Sequence, residues 1–205
     1  MNVDSSLPSI SVVIPAFNEE EYLSKVVADL EETLENHFDY EIIIVDDGSY
    51  DKTPEVIKTV EGKNKDISSI TFHKNLGKAY ALTAGFRKAE KEYLVMLDGD
   101  DQFYTKDINR FVSKMSEGYD FLNGNIINKY KKESWIRLLN SKIFNWISRI
   151  MFGIKIHDAN AGFKVMKTRI GKKLDLKSGD YRYISHIVHS MGYRVGELEI
   201  DYKKH

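Results

Sequence analysis

The chain has 205 residues, 42% hydrophobic and 30% charged, the balance of a soluble globular protein near the upper size for a single core. It has no cysteine, which excludes disulfides and thiolate metal sites and fits a reducing compartment; no signal peptide is expected from the residues given, and no apolar run in them reaches the roughly 18 residues of a membrane span. The net charge of −1 hides an asymmetry: residues 1–60 hold 14 Asp and Glu against 3 Lys and Arg, whereas the other 145 hold 17 acidic and 27 basic residues, so different partners are expected for each part.

Residues 9–15, "SISVVIP", read as a buried strand stopped by proline. Residues 18–36 follow with Leu23, Val26, Val27, Leu30 and Leu34 at helical spacing. Asn18 is the expected N-cap, and the glutamates after it suit the positive end of the helix dipole. "YEIIIVDDGS" (40–49) reads as a second strand running into a turn, with Ser49 or Asp51 capping a helix over 53–60. A third strand is expected over 68–75, a helix opening with glycine over 77–90, a fourth strand at "YLVMLDGDD" (93–101) and a helix near 106–116.

This alternation, with strands that are almost continuously apolar, predicts an α/β, Rossmann-like fold: a mostly parallel sheet with helices on both faces. Ligands in such sheets lie beyond the carboxyl ends of the strands. Three of those ends, "PAFNEE", "DDGSYD" and "DGDDQ", are polar and are expected to converge on one crevice. Beyond residue 120 the pattern changes. Residues 119–127 look like a strand, 134–153 a helix, 157–166 a loop entering a strand, 181–192 a helix and 193–200 a closing strand. No linker separates the parts, so one domain over 1–205 is expected.

In "LDGDD", Asp98 and Asp100 are two apart and share one side of an extended chain, while Gly99 admits a ligand close to the backbone. Two such carboxylates with no nearby histidine or cysteine favour an oxygen-loving cation, Mg²⁺ or Mn²⁺, whose shell phosphates and water complete. The same four letters also serve as a solvated turn. Asp101 is expected to be a plain surface or helix-start carboxylate. Asp46 and Asp47 directly follow a buried strand, where a carboxylate could accept hydrogen bonds from a nucleobase or ribose. No G-x-x-x-x-G-K-[ST] occurs, nor a G-x-G-x-x-G after the first strand, which disfavours P-loop and ordinary dinucleotide enzymes.

Taken in order, "VVIPAFNEE", "IIIVDDGSYDKT", "NLGKAYALTAGFRKA" and "VMLDGDDQ" resemble the family-2 glycosyltransferases of the GT-A fold. "KKESWIRLLNSKIFNWISRIMFGIKIHDANAGFKVM" and "YRYISHIVHSMGYRVGELEI" resemble the branch of dolichyl-phosphate mannose synthase and the bacterial polyprenyl-phosphate sugar transferases, the likeness covering roughly residues 9–202. The resemblance implies that Pro15, Ala16, Asn18 and Glu19 line the nucleotide pocket, with Glu19 facing base or ribose, and that Asp47 contacts the base. It implies Asp98 near the ribose or metal, Asp100 on the metal, Gly99 between them, and Gln102 beside the diphosphate or metal. Gly77 and Lys78 match an "N-x-G-K" turn whose lysine could approach the diphosphate; an exposed helix-start lysine is the other reading. Asp158 and Asn160 match an acceptor-side loop, Asp158 being the candidate base for an acceptor that carries a proton, and Arg182 is a candidate phosphate contact. His157 reads as structural.

The implied reaction is inverting transfer from a UDP- or GDP-sugar to a polyprenyl phosphate, with residues 1–120 as the nucleotide-sugar half and 121–205 as the acceptor and membrane-facing half. Residues 128–155 hold seven Lys and Arg against Glu133 alone, interleaved with Trp135, Ile136, Leu139, Ile143, Trp146, Ile147 and Ile150. That is the pattern of an amphipathic helix on a membrane surface, here over 134–152, although an apolar stripe can equally be core. Lys129, Lys131 and Arg137 are the candidates for the acceptor phosphate, lysines standing where that branch tends to carry arginine. A peripheral position on the cytoplasmic face of a membrane is expected, and no nucleic-acid partner. The branch continues past "GELEI" with a basic, glycine-containing loop and often with membrane helices. This sequence stops at "DYKKH", as an excised catalytic domain or one anchored by the amphipathic helix alone. The alternatives are a family-2 enzyme with a saccharide or other soluble acceptor, an inactive sugar-nucleotide-binding domain, and a receiver domain. The last is disfavoured because its acidic pair would follow the second strand.

Overall fold

The structure, a computed structural model, describes residues 7–127 and 156–203. The first half alternates strand and helix as its sequence predicts: β1 (Ser9–Ala16), α1 (Leu23–Leu34), β2 (Asp39–Asp46), α2 (Thr53–Glu61), β3 (Ile67–Thr71), α3 (Lys78–Lys88), β4 (Tyr93–Met96) and α4 (Asp107–Met115). Then come β5 (Phe121–Ile126), β6 (Lys164–Lys167), α5 (Thr168–Gly171), a 3-10 turn (Asp180–Arg182), α6 (Ile184–Ser190) and β7 (Val195–Ile200). The seven strands form one sheet in the order β3-β2-β1-β4-β6-β5-β7. Strand β6 runs antiparallel to both β4 and β5, and the other pairings are parallel.

The apolar runs are continuous because both sheet faces are covered. Ile10, Val12 and Ile14 of β1 pack with α1 and α4, while Val13 packs with Leu82 and Phe86 of α3. The five apolar residues read as the face of α1 are all buried. Register brings the carboxyl ends together, Ala16 opposite Asp46 and Val13 opposite Met96. Loops leaving β1, β2 and β4 must therefore share one rim of the sheet.

Three local expectations are corrected. Asn18 does not cap α1: that helix begins at Leu23, and the Glu19 carbonyl accepts the N–H groups of Tyr22 and Leu23. Asn18 instead adopts φ 57, accepts the Tyr50 N–H on its Oδ1 and donates its own N–H to Ser49 Oγ. Spending its side chain on the neighbouring loop removes it from the helix, and the three glutamates lie before the first turn rather than in it. Residues 181–192 are not one helix; Tyr181 and Arg182 sit in the 3-10 turn ahead of α6. Asp101 is not at the surface; its side chain is 1% exposed.

Candidate functional site

Two loops interlock above β1 and β2. Asp47 N–H donates to the Ala16 carbonyl at 2.8 Å, Glu19 N–H to Thr53 Oγ1 at 2.8 Å, and Lys52 N–H to Glu20 Oε2 at 2.8 Å. The Phe17 and Tyr50 rings meet edge to face, centroids 5.8 Å apart. Asp47 is 3% exposed, and its two oxygens accept the N–H groups of Leu76 and Gly77 at 2.7 and 2.8 Å. It thereby anchors the turn that starts α3, a job its place after a buried strand did not reveal. Gly48 (φ 74) makes that approach possible, since a Cβ there would stand 2.4 Å from the Lys74 carbonyl carbon.

Between these loops and the end of β4 lies a crevice of about 430 Å³. Pro15 and Ala16 line it from the end of β1, Glu19 from the loop after it, Asp47 from just after β2, Gly77 and Lys78 from the start of α3, and Asp98, Gly99 and Asp100 from the loop after β4. Phe17 and Asn75 also line it. Neither stands out by its residue type alone, although both sit inside the motifs "PAFNEE" and the "N-x-G-K" turn. Lys78 Nζ is 2.5 Å from Asp98 Oδ1 and 5.3 Å from the centre of the Tyr181 ring, which Arg182 covers at 5.0 Å.

The lining therefore holds four carboxylates and one lysine ammonium, with the Asp47 carboxylate taken by backbone amides. Burial first, then the charges of Asp100 and Asp98, raise the Glu19 pKa from 4.5 to about 7. Burial and the neighbouring Asp98 likewise push the Asp100 carboxyl above its usual range. Such a cluster is short of positive charge, and an added divalent cation relieves the repulsion. Among the described residues no three His, Asp or Glu side chains converge closely enough to hold an ion by themselves. Asp98 and Asp100 could supply only a partial set, which phosphate oxygens and water would have to complete.

Other expected residues, Asn18 among them, are not in the crevice lining. Gln102 offers its N–H to Asp100 Oδ1 at 3.4 Å. Asp158 is buried, its carbonyl accepting from Asn123 Nδ2 at 2.7 Å; Asn160 and Arg182 are exposed. His157 pairs with Glu197 at 2.7 Å. The loop holding Asp158 reaches the crevice through Gly162, where a Cβ would lie 2.2 Å from Asp98 Oδ2. Gly162 was not singled out, and "NAGF" offers no local sign of a contact with a residue 64 positions away. Asp101 turns away from the crevice: burial alone would raise its pKa, but hydrogen bonds from Lys203 and Lys25 outweigh burial and hold it below the usual carboxylate value. Lys129, Lys131, Arg137 and the expected helix over 134–152 lie outside the described residues. Among the described residues no helix is long and apolar enough to cross a membrane.

Comparison with known proteins agrees with this architecture. The family model described as "Glycosyl transferase family 2" matches residues 11–174. An uncharacterized glycosyltransferase of Synechocystis is 31% identical over 186 residues, which cover 90% of this chain and 58% of that protein. An undecaprenyl-phosphate 4-deoxy-4-formamido-L-arabinose transferase of Aeromonas hydrophila is 30% identical over 206 residues, covering 97% of this chain and 60% of that protein. The chain thus spans about three fifths of the length of these curated relatives. Among solved structures, a Pyrobaculum calidifontis mannosyltransferase in complex with GDP-Man and Mn²⁺ superimposes with TM-score 0.72 at 16% identity, over 98% of this chain and 57% of that one. Glucosyl-3-phosphoglycerate synthase from Mycobacterium tuberculosis, in complex with UDP, gives TM-score 0.73 at 17% identity, over 97% of this chain and 72% of that one. The fold is that of the GT-A glycosyltransferases.

Proposed function

The chain belongs to glycosyltransferase family 2, and from that premise we propose that it is an inverting, metal-dependent enzyme moving a sugar from a UDP- or GDP-sugar to a polyprenyl phosphate. The observation that carries this reading is the meeting of Asp98, Asp100 and Lys78 with Glu19 and Asp47 in one crevice at three strand ends. The choice of a lipid acceptor is supported by the undecaprenyl-phosphate relative and by the basic, tryptophan-containing stretch 128–155.

Asp98 and Asp100 would hold Mg²⁺ or Mn²⁺, which when bound supplies positive charge to the departing nucleoside diphosphate. Pro15, Ala16, Asn18, Glu19 and Asp47 form the nucleotide side of the site, with Asp47 acting through the turn it fixes. Gly99 allows the donor to approach the backbone. Lys78 balances Asp98 in the free protein and exchanges that contact for the diphosphate when the donor enters; Gln102 steadies Asp100. The acceptor phosphate oxygen attacks the anomeric carbon from the face opposite the diphosphate. A new C–O bond forms as the old one breaks, the electron pair leaves with the nucleoside diphosphate, and the configuration inverts. A phosphate nucleophile is already anionic, so it needs no general base; it needs cations to bring it to another anion. Lys129, Lys131, Arg137 and Arg182 fill that role, and Asp158 would serve as base for an acceptor that carries a proton. Residues 121–205 form the acceptor half and 1–120 the donor half. The basic, amphipathic sequence over 134–152 would hold the protein at the cytoplasmic face of a membrane.

A thermal-shift panel of nucleoside diphosphates with and without Mn²⁺ tests the donor side, since a ligand that binds the native state must stabilise it. Stabilisation by UDP or GDP that needs Mn²⁺ is expected; no metal-dependent shift with any nucleotide defeats the proposal. A clear preference for a soluble acceptor over lipid phosphate would keep the family chemistry and remove the lipid.

A further inference from the structure

Asp101 is the carboxylate of "LDGDDQ" that leaves the crevice. Asp100 lines the cavity, whereas Asp101 adopts φ 56 and carries its side chain into the protein. Two ammonium groups meet it there: Lys25 Nζ from α1 at 2.5 Å, and Lys203 Nζ from the segment after β7. Lys203 also pairs with Asp29 of α1 at 2.7 Å. The same segment is fastened to the loop by its backbone. Lys203 N–H donates to the Gln102 carbonyl at 2.9 Å, and Tyr202 bridges Phe103 with ring centroids 5.1 Å apart.

Aspartate enters the left-handed region more readily than most residues, but the conformation still costs free energy and is held here by its surroundings. A buried carboxylate is tolerated only when paired. The Asp101 backbone and side chain therefore hold each other in place: the lysines make burial of the carboxylate acceptable, and burial of the carboxylate keeps the turn that leaves Asp98 and Asp100 facing the crevice. We propose that Asp101 and Lys203 are positioning residues, their buried ion pair fastening the segment after β7 to the D-G-D turn and so setting where the two donor-site carboxylates stand. This rests on the donor-site reading of Asp98 and Asp100 above; neither Asp101 nor Lys203 lines the crevice.

The test is calorimetric titration of the chain with Mn²⁺ plus UDP and with Mn²⁺ plus GDP, alongside melting curves. Lys203→Met is compared with Lys203→Arg and with Lys167→Met, which removes a 2.8 Å pair with Asp120 toward the opposite end of β4 and β6. Lys203→Met should weaken nucleotide binding on the order of tenfold, the scale of coupling through a packed network. Lys203→Arg should restore most of it, and Lys167→Met should lose stability without losing affinity. Should Lys203→Met fail to fold, Lys25→Met removes another tie from an exposed position and carries the same expectation. Wild-type affinity in the lysine variants, or an equal loss in Lys167→Met, overturns the latch while leaving the donor site intact. Failure of the unaltered chain to bind either nucleotide overturns the donor reading and the latch with it.

Discussion

Replacing Gly162 with alanine adds one methyl group outside the crevice lining and should disable the site from beneath. A Cβ at 162 would lie 2.2 Å from Asp98 Oδ2 and 2.5 Å from its Cγ, where ordinary contact begins near 3.4 Å. The carboxylate must retreat by about 1.2 Å, or the loop ahead of β6 must lift by as much, because packed atoms do not overlap. Retreat is constrained, since Asp98 Oδ1 is held 2.5 Å from Lys78 Nζ. Overpacking of this kind costs about 1–3 kcal/mol of stability, several degrees of Tm for a chain this size. Its effect on chemistry should be larger in kind: a displacement of about 1 Å at a reacting centre costs on the order of a hundredfold, or about 2.7 kcal/mol of transition-state stabilisation. The assay is the initial rate of transfer from a labelled nucleotide sugar to undecaprenyl phosphate, with Mn²⁺–nucleotide affinity and Tm measured on the same preparation. A variant that melts a few degrees lower yet keeps wild-type kcat/KM and metal affinity would refute the placement of Asp98 at the donor.

Glu19 should leave a signature in stability against pH. With its carboxyl raised to about 7 by burial and by Asp100 and Asp98, the folded chain keeps a proton that the unfolded chain releases from about 4.5 upward, so stability falls as pH rises through that window. Glu19→Gln should lose that slope and, above pH 7, exceed the wild type by about 1 kcal/mol once screening of its partly exposed side chain is allowed for; parallel denaturation curves would remove Glu19 as the source. Lys78→Met should bind Mn²⁺ alone at least as tightly, because the cation competing for Asp98 is gone, yet bind Mn²⁺ with UDP or GDP on the order of tenfold more weakly. Equal changes for both ligands in calorimetry would mean that Lys78 only braces Asp98. Asp47→Asn leaves one acceptor for two N–H groups and should cost about 2 kcal/mol, a Tm drop of about 4–8 °C; an unchanged melting curve would deny Asp47 its anchoring role.

Much of this was legible in the sequence because parallel strands covered on both faces leave uninterrupted apolar runs, and "SISVVIP", "YEIIIVDD" and "YLVML" are three of them. Their shared direction places their polar ends on one rim. What the sequence could not disclose depends on partners far along the chain. Asp101 looks like any turn aspartate until Lys203, 102 positions later, folds back against it. Asn18 has the composition and place of a helix cap, but its side chain is claimed by Tyr50, 32 positions away. Asp47 was legible as an unusual buried carboxylate, and its use on the Leu76 and Gly77 amides was not. The reversal of β6 follows from how the chain returns between β4 and β5, which no local pattern in "FKVMK" records.

Sugar transfer from a nucleotide donor to a lipid phosphate can be followed directly. The chain is incubated with labelled UDP- and GDP-sugars and undecaprenyl phosphate in vesicles, with Mn²⁺ or with a chelator, and label in the organic phase is followed over time. Mn²⁺-dependent lipid labelling from at least one donor is expected, abolished by Asp100→Asn. Donor consumed without any label reaching the lipid, or lipid labelling that persists in chelator and in Asp100→Asn, would contradict it.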